Sequence, residues 1–214
     1  MIFQFCIQHI WSFLQNHVID SSMSEKQHLN PEYTLKKTIV MVGMMGAGKT
    51  AVGRGLAMRL GVPFLDSDTE IEVAANITVP EIFDRYGEPF FREKETQVIA
   101  RLLDKASRVL STGGGAFLSD VNRRNITDHG VSVWLDADLD LLWDRVRQKN
   151  TRPLLRTPDP YGALAEIYAA RLPFYAKADV VVKSLPGFSI DEMVERVIAT
   201  LLTERPDVLE KTDA

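Results

Sequence analysis

The chain of 214 residues has a single cysteine, Cys6. It cannot close an internal disulfide, which suits a reducing compartment and leads us to expect a cytoplasmic protein. Cys and His are not spaced as the ligands of a metal cluster. The apolar N-terminal stretch, Met1 to Ile19, is interrupted by Gln4, Gln8, His9, Gln15, Asn16 and His17. It falls short of the roughly 18 apolar residues a membrane span needs. It also lacks the basic start and small-residue cleavage site of a signal peptide. Ile2, Phe5, Ile10, Phe13, Leu14 and Ile19 can line a short amphipathic helix, but no Lys or Arg supports its polar side, which argues against a membrane surface. Net charge is −4, so general nucleic-acid binding has no electrostatic basis. No internal repeat is visible.

Apolar residues make up 45% of the chain, enough for a true core. The length suits one domain with a small appendage. Residues 1–34 are expected to be an N-terminal extension, dispensable for chemistry. Its second part is polar, with Met23 as an alternative start to Met1. Residues 35–203 are expected to form the domain, and the charged residues 204–214 a frayed tail.

The most informative stretch is Gly43-Met44-Met45-Gly46-Ala47-Gly48-Lys49-Thr50, which fits the phosphate-loop pattern G-x-x-x-x-G-K-[ST] without a mismatch. Thr38-Ile39-Val40-Met41-Val42 before it is apolar and β-branched, as a buried strand should be. Val52, Leu56, Arg59 and Leu60 after it recur at helical spacing. Glycines let successive N–H groups turn toward an anion, and the new helix adds its positive end. Lys49 then reaches the β- and γ-phosphates of a nucleotide, and Thr50 can hold magnesium.

Further short apolar runs at Pro63-Phe64-Leu65, 108–111, 131–135 and 180–182 alternate with helical patterns at 50–60, 68–75, 79–86, 91–106, 119–128, 138–149, 161–177 and 189–203. Alternation of this kind predicts a mainly parallel sheet with helices on both faces. Ligands of such sheets bind at the carboxyl ends of the strands. Pro173 should kink or divide its helix. The segment 149–160, broken by Pro153, Pro158 and Pro160 and carrying Arg152 and Arg156, reads as a surface loop able to act as a lid.

Three motifs follow strands or sit in helices. Asp66-Ser67-Asp68 ends the second run. One carboxylate there can hold magnesium through water and the other accept a hydroxyl proton. The alternative is that Asp66 is a turn residue and Asp68 a helix N-cap. Gly113-Gly114-Gly115 either brings backbone N–H groups close to a ligand or makes a flexible turn. Arg92, with Glu95 three residues on, and Arg171, beside Pro173, offer planar forks for a carboxylate or phosphate. Arg152 in the loop can be delivered to a transferring phosphoryl group.

Taken in order, these motifs resemble those of the shikimate kinase family. They are the phosphate loop, Phe64-Leu65-Asp66-Ser67-Asp68-Thr69-Glu70-Ile71-Glu72, Phe91-Arg92-Glu93-Lys94-Glu95, the triple glycine, Arg152-Pro153-Leu154-Leu155, and Arg171-Leu172-Pro173-Phe174-Tyr175. The resemblance spans about residues 36–203. It implies a P-loop kinase fold of the nucleoside-monophosphate-kinase type, with a parallel sheet of five strands ordered 2-3-1-4-5 and a mobile lid. It implies transfer of the ATP γ-phosphate to the 3-hydroxyl of shikimate, in the chorismate route to aromatic amino acids, with Mg2+ and no nucleic-acid or membrane partner; a monomer is expected. Gly43, Gly46, Ala47, Gly48, Lys49 and Thr50 would take the phosphates, with Thr50 and Asp66 at the metal. Asp68 would be the base. Arg92 and Arg171 would clamp the substrate carboxylate, with Gly113, Gly114 and Gly115 contacting its ring hydroxyls. Arg152 would close onto the phosphoryl group, and Arg147 would pack on adenine. Another kinase of the same fold, for gluconate or a nucleotide, is opposed by the Asp pair with the triple glycine. An inactive nucleotide-binding regulator is opposed by the joint presence of Lys49, Thr50, Asp68 and Arg152.

Overall fold

The computed structural model describes residues 32–147 and 157–212. Arg152, Arg156 and most of the loop expected at 149–160 lie outside the described residues, as does the extension up to residue 31. In chain order the elements are β1 (Tyr33–Leu35), β2 (Thr38–Val42), α1 (Lys49–Leu60), β3 (Phe64–Asp66), α2 (Ser67–Ala75), α3 (Val79–Leu103), β4 (Val109–Ser111), a 3-10 turn (Ala116–Leu118), α4 (Asp120–His129), β5 (Gly130–Ala137), α5 (Leu139–Val146), α6 (Pro160–Tyr175), β6 (Val180–Ser184), α7 (Ile190–Glu204) and β7 (Leu209–Lys211).

A parallel strand covered on both faces must be apolar throughout, and β2 is buried at every residue. It lies at the centre of a five-stranded sheet in the order β3-β4-β2-β5-β6, every neighbouring pair parallel. With β1 set aside, this is the expected order 2-3-1-4-5. β6 lies at an edge and alternates buried Val180 and Val182 with exposed Val181 and Lys183. Several helix starts are set by side chains that satisfy free N–H groups. Thr78 with Glu81, and Ser189 with Glu192, form capping boxes on α3 and α7. No helix among the described residues is long and apolar enough to cross a membrane.

Three details differ from expectation. The helices expected at 79–86 and 91–106 form one run, α3, broken only at Gly87, whose φ of 79° and ψ of 169° are non-helical. Pro173 does not divide α6. It stands two residues before the helix end, where its missing N–H removes a single bond in the last turn.

The third difference concerns the two ends of the chain. The tail expected to fray carries β7, which pairs antiparallel with β1 from Tyr33↔Lys211 to Leu35↔Leu209. Apolar burial explains this: Val208 and Leu209 are fully buried, and Tyr33 is buried with the Arg59 guanidinium 5.2 Å above its ring. Arg59 also pairs with Glu32 at 2.7 Å and with Glu195 at 3.3 Å. The last residues of the expected extension therefore belong to the folded domain. Tyr33→Ala should lower stability by about 2–4 kcal/mol, or roughly 5–10 °C in melting temperature. Deleting residues 1–31 should leave the melting temperature in place, and deleting 1–35 should reproduce the Tyr33→Ala loss. Equal melting curves for the two deletions would show that the β1–β7 pairing contributes nothing.

Candidate active site

Strand register brings the chemistry together. Asp66 on β3 is level with Ser111 on β4, and Ser111 with Met41 on β2. The Asp66–Asp68 segment, the triple glycine and the phosphate loop therefore leave the sheet side by side at its carboxyl edge. Thr112 fastens two of them, its Oγ1 donating to Met41 O at 3.0 Å.

In the phosphate loop Gly46 has φ of 83°, and a Cβ there would lie 2.7 Å from Val146 Cγ1. Only glycine fits that conformation and that contact with α5. Lys49 opens α1, and its Nζ donates to Gly43 O at 2.8 Å and Met44 O at 3.0 Å. Thr50 Oγ1 donates to Asp66 Oδ2 at 3.2 Å and lies 3.5 Å from Ser111 Oγ.

Asp66, not Asp68, is the N-cap of α2: its Oδ1 accepts from Asp68 N at 3.1 Å and Thr69 N at 3.5 Å. The capping role expected as a rival for Asp68 thus falls two residues earlier. Asp68 enters the first turn with Oδ1 buried and without a hydrogen-bond partner among the described residues. Burial, then the neighbouring Asp66 charge, push its carboxyl above the usual carboxylate range, with Lys49 and Arg92 opposing. A Cβ on Gly113 would meet Asp68 Oδ1 at 2.7 Å and Glu95 Oε1 at 3.2 Å, so the two acids flank one backbone position.

Arg92 and Arg171 bracket the triple glycine. Arg92 is half-buried, and a Cβ on Gly115 would come within 2.5 Å of its Nη2. Its Nη1 donates to Glu95 Oε2 at 2.8 Å, and its Nε and Nη2 donate to Glu88 Oε1 at 3.1 and 3.0 Å. Glu95 is 1% exposed, and its Oε1 has no hydrogen-bond partner among the described residues. Burial lifts its carboxyl to about 7, against the pull of Arg92. Arg171 stands one helical turn before Tyr175, so the two share a face of α6. Tyr175 is fully buried, lies 6.1 Å from Trp134 ring to ring, and donates to Gly114 O at 2.5 Å. That anchor holds Arg171 Nη1 within 3.2 Å of where a Gly114 Cβ would stand.

A cleft of about 530 Å³ runs along the phosphate loop past Asp66 and Asp68 to Gly113. Its other end is lined by Arg145, Ser184, Phe188 and Met193. Arg147, the arginine expected there, does not line it; it is exposed and pairs with Asp144 at 3.3 Å. Arg145 does line it, with Nη1 3.3 Å from Gly46 O and 3.4 Å from Ser184 Oγ. The helical pattern held the signal. Leu142 and Val146 form the buried side of α5; Arg145 lies three residues after Leu142 and borders that side, whereas Arg147 follows the last helical residue. Sequence spacing shows Glu95 only as a neighbour three residues after Arg92, because its burial and nearness to Asp68 are tertiary facts.

The comparisons with known proteins fit this geometry. The family model described as shikimate kinase matches residues 45–202. The chain is 67% identical to a shikimate kinase of Ruegeria pomeroyi over 82% of this chain and 90% of that one. It is 65% identical to a shikimate kinase of Cereibacter sphaeroides, over 82% of this chain and 87% of that one. Among solved structures, the shikimate kinase from Acinetobacter baumannii in complex with shikimate superposes with a TM-score of 0.75 at 36% identity, covering 79% of this chain and 94% of that one. The chain belongs to the shikimate kinase family.

Proposed function

We propose the following division of labour for the family's reaction, the transfer of the ATP γ-phosphate to the 3-hydroxyl of shikimate in aromatic amino-acid biosynthesis. ATP lies along the cleft, its phosphates over Gly43, Gly46, Ala47 and Gly48 and the N-terminus of α1. Lys49 leaves the loop carbonyls for the β- and γ-phosphates. The adenine end lies against Arg145 rather than Arg147. Thr50 and Asp66 offer a hydroxyl and a carboxylate oxygen 3.2 Å apart, the hard donors that suit Mg2+. When bound there, Mg2+ offsets the charge of the phosphates.

Shikimate enters from the triple-glycine side. Arg92 and Arg171 take its carboxylate, and the backbone of Gly113, Gly114 and Gly115 meets its ring hydroxyls. Asp68 accepts the 3-hydroxyl proton as the oxygen–phosphorus bond forms, and the bond between the γ-phosphorus and the bridging oxygen of ADP breaks. The observation that carries this reading is the buried Oδ1 of Asp68 beside Gly113, unpartnered among the described residues. Arg152 supplies a further positive charge to the phosphoryl group in this reading, on the strength of the motif alone. The protein acts as a cytoplasmic monomer.

Asp68→Asn should keep the fold and lower kcat by about 10²- to 10⁴-fold, the range for a lost general base. ATP-dependent phosphorylation of shikimate, measured beside gluconate and nucleoside monophosphates, tests residue and substrate together. A variant within a few-fold of the wild type would remove Asp68 from the chemistry.

Arg145→Ala should raise the KM for ATP several-fold and leave the KM for shikimate alone, whereas Arg147→Ala should change neither. The reverse pattern would return the adenine contact to Arg147.

Glu95 sets a pH dependence as well. Its folded value of about 7 lies above the ordinary 4.5, so between those pH values the folded state binds more protons. Its contribution to stability is complete below pH 4.5 and is lost as pH rises through 7. From pH 4.5 to 8 the wild type should therefore lose roughly 2–3 kcal/mol relative to Glu95→Gln. Denaturant unfolding of both proteins across this range checks it; parallel curves would mean that burial does not lift the Glu95 carboxyl above its ordinary value.

A further inference from the structure

The fork of Arg92 is not open in this structure. The edge a carboxylate grips side-on, formed by Nε and Nη2, is held by Glu88 Oε1 at 3.1 and 3.0 Å. Glu95 takes a different nitrogen, Nη1. Gly115 lies against the guanidinium, so the group has little room to turn away from these partners. The two acids are very unequal. The Glu95 side chain is 1% exposed and that of Glu88 is 61% exposed. Stripping a partner from a buried charge is costly, while an exposed pair is held weakly. A carboxylate arriving at Arg92 will therefore displace Glu88 and leave Glu95 in place.

The position of Glu88 makes that displacement easy. It is the first residue after the break at Gly87 and so begins the second half of α3. An acid in a first helical turn is favoured by the free N–H groups and the dipole there. Once released, its carboxylate faces water and that positive end, and nothing buried is left unpaired.

We propose that Glu88 is a built-in stand-in for the substrate carboxylate, holding the Nε–Nη2 edge of Arg92 between turnovers and yielding it to the incoming acid. The proposal rests on the reading of Arg92 as a carboxylate clamp. Glu88 then keeps the fork ordered, and it sets a threshold that a molecule without a carboxylate does not cross. Glu88 acts through Arg92 and is a positioning residue, touching neither phosphate nor the reacting hydroxyl.

The test uses the full chain with Glu88→Gln, Glu88→Asp and Arg92→Ala. Shikimate binding is measured by titration calorimetry, and KM for shikimate and for ATP by steady-state kinetics, at two salt concentrations. Removing the competing charge in Glu88→Gln should tighten shikimate binding and lower its KM by about two- to fivefold at low salt, the worth of an exposed ion pair. KM for ATP should not move, and the gain should shrink at high salt. Glu88→Asp, which keeps the charge, should stay nearer the wild type. Arg92→Ala should weaken shikimate binding. If it does so while Glu88→Gln binds shikimate no better than the wild type, or worse, the stand-in role is overturned and the Arg92 clamp survives. If Arg92→Ala leaves shikimate binding unchanged, the clamp itself falls, and the role of Glu88 with it.

Discussion

The register of three parallel strands is the constraint on which the site depends. Met41, Ser111 and Asp66 lie in one row across β2, β4 and β3. A parallel ladder leaves its carboxyl ends on one side, so whatever follows each strand meets there. A slip of one residue in β3 would turn Asp66 to the opposite face of the sheet and separate it from Thr50. Phe64 of β3 packs against Gly53 of α1, where a Cβ would come within 2.8 Å of its ring, and a slip would break that contact. Packing thus fixes the placement of polar atoms it never touches.

On that frame the site manages charge by burial. Asp68 and Glu95 converge on Gly113 from different helices, each with one oxygen unpartnered among the described residues. Desolvation raises both carboxyls, and Arg92 counters it for both. Replacing Gly113 would set a methyl group between the two acids, and replacing Gly115 would drive one into Arg92. The triple glycine is therefore as much a space left for side chains as a backbone surface for a ligand.

Much of this was legible in the residues. The alternation of short apolar runs with helical spacing indicated the layers, and the ordered motifs indicated the strand order and the reaction. What escaped has a common cause. The β1–β7 pairing depends on Val208, Leu209 and Tyr33, three apolar residues scattered through polar ends of the chain, with no periodicity to announce them. Proline breaks helix interiors, so Pro173 pointed to a kink or a division, but it stands two residues before the helix end and the helix is not divided there. Arg145 and Arg147 differ by two residues, and only the packing of Leu142 and Val146 says which one turns inward. The burial of Glu95 is set by elements distant in the chain.

Asp66 illustrates how one side chain can serve two partners. For Asp66 the sequence posed a choice between a turn residue and a metal-side carboxylate. A carboxylate has two oxygens, and here they are divided. Oδ1 accepts from the N–H groups of Asp68 and Thr69 and so starts α2, while Oδ2 accepts from Thr50 on α1. The cap locks the rotamer, and the locked rotamer aims the second oxygen. The same cap spares Asp68 that duty. Asp68 can then stand in the first turn with one oxygen unpartnered among the described residues, at a point where burial raises its affinity for a proton. The stability of the helix start and the placement of Asp68 are therefore two results of one side chain.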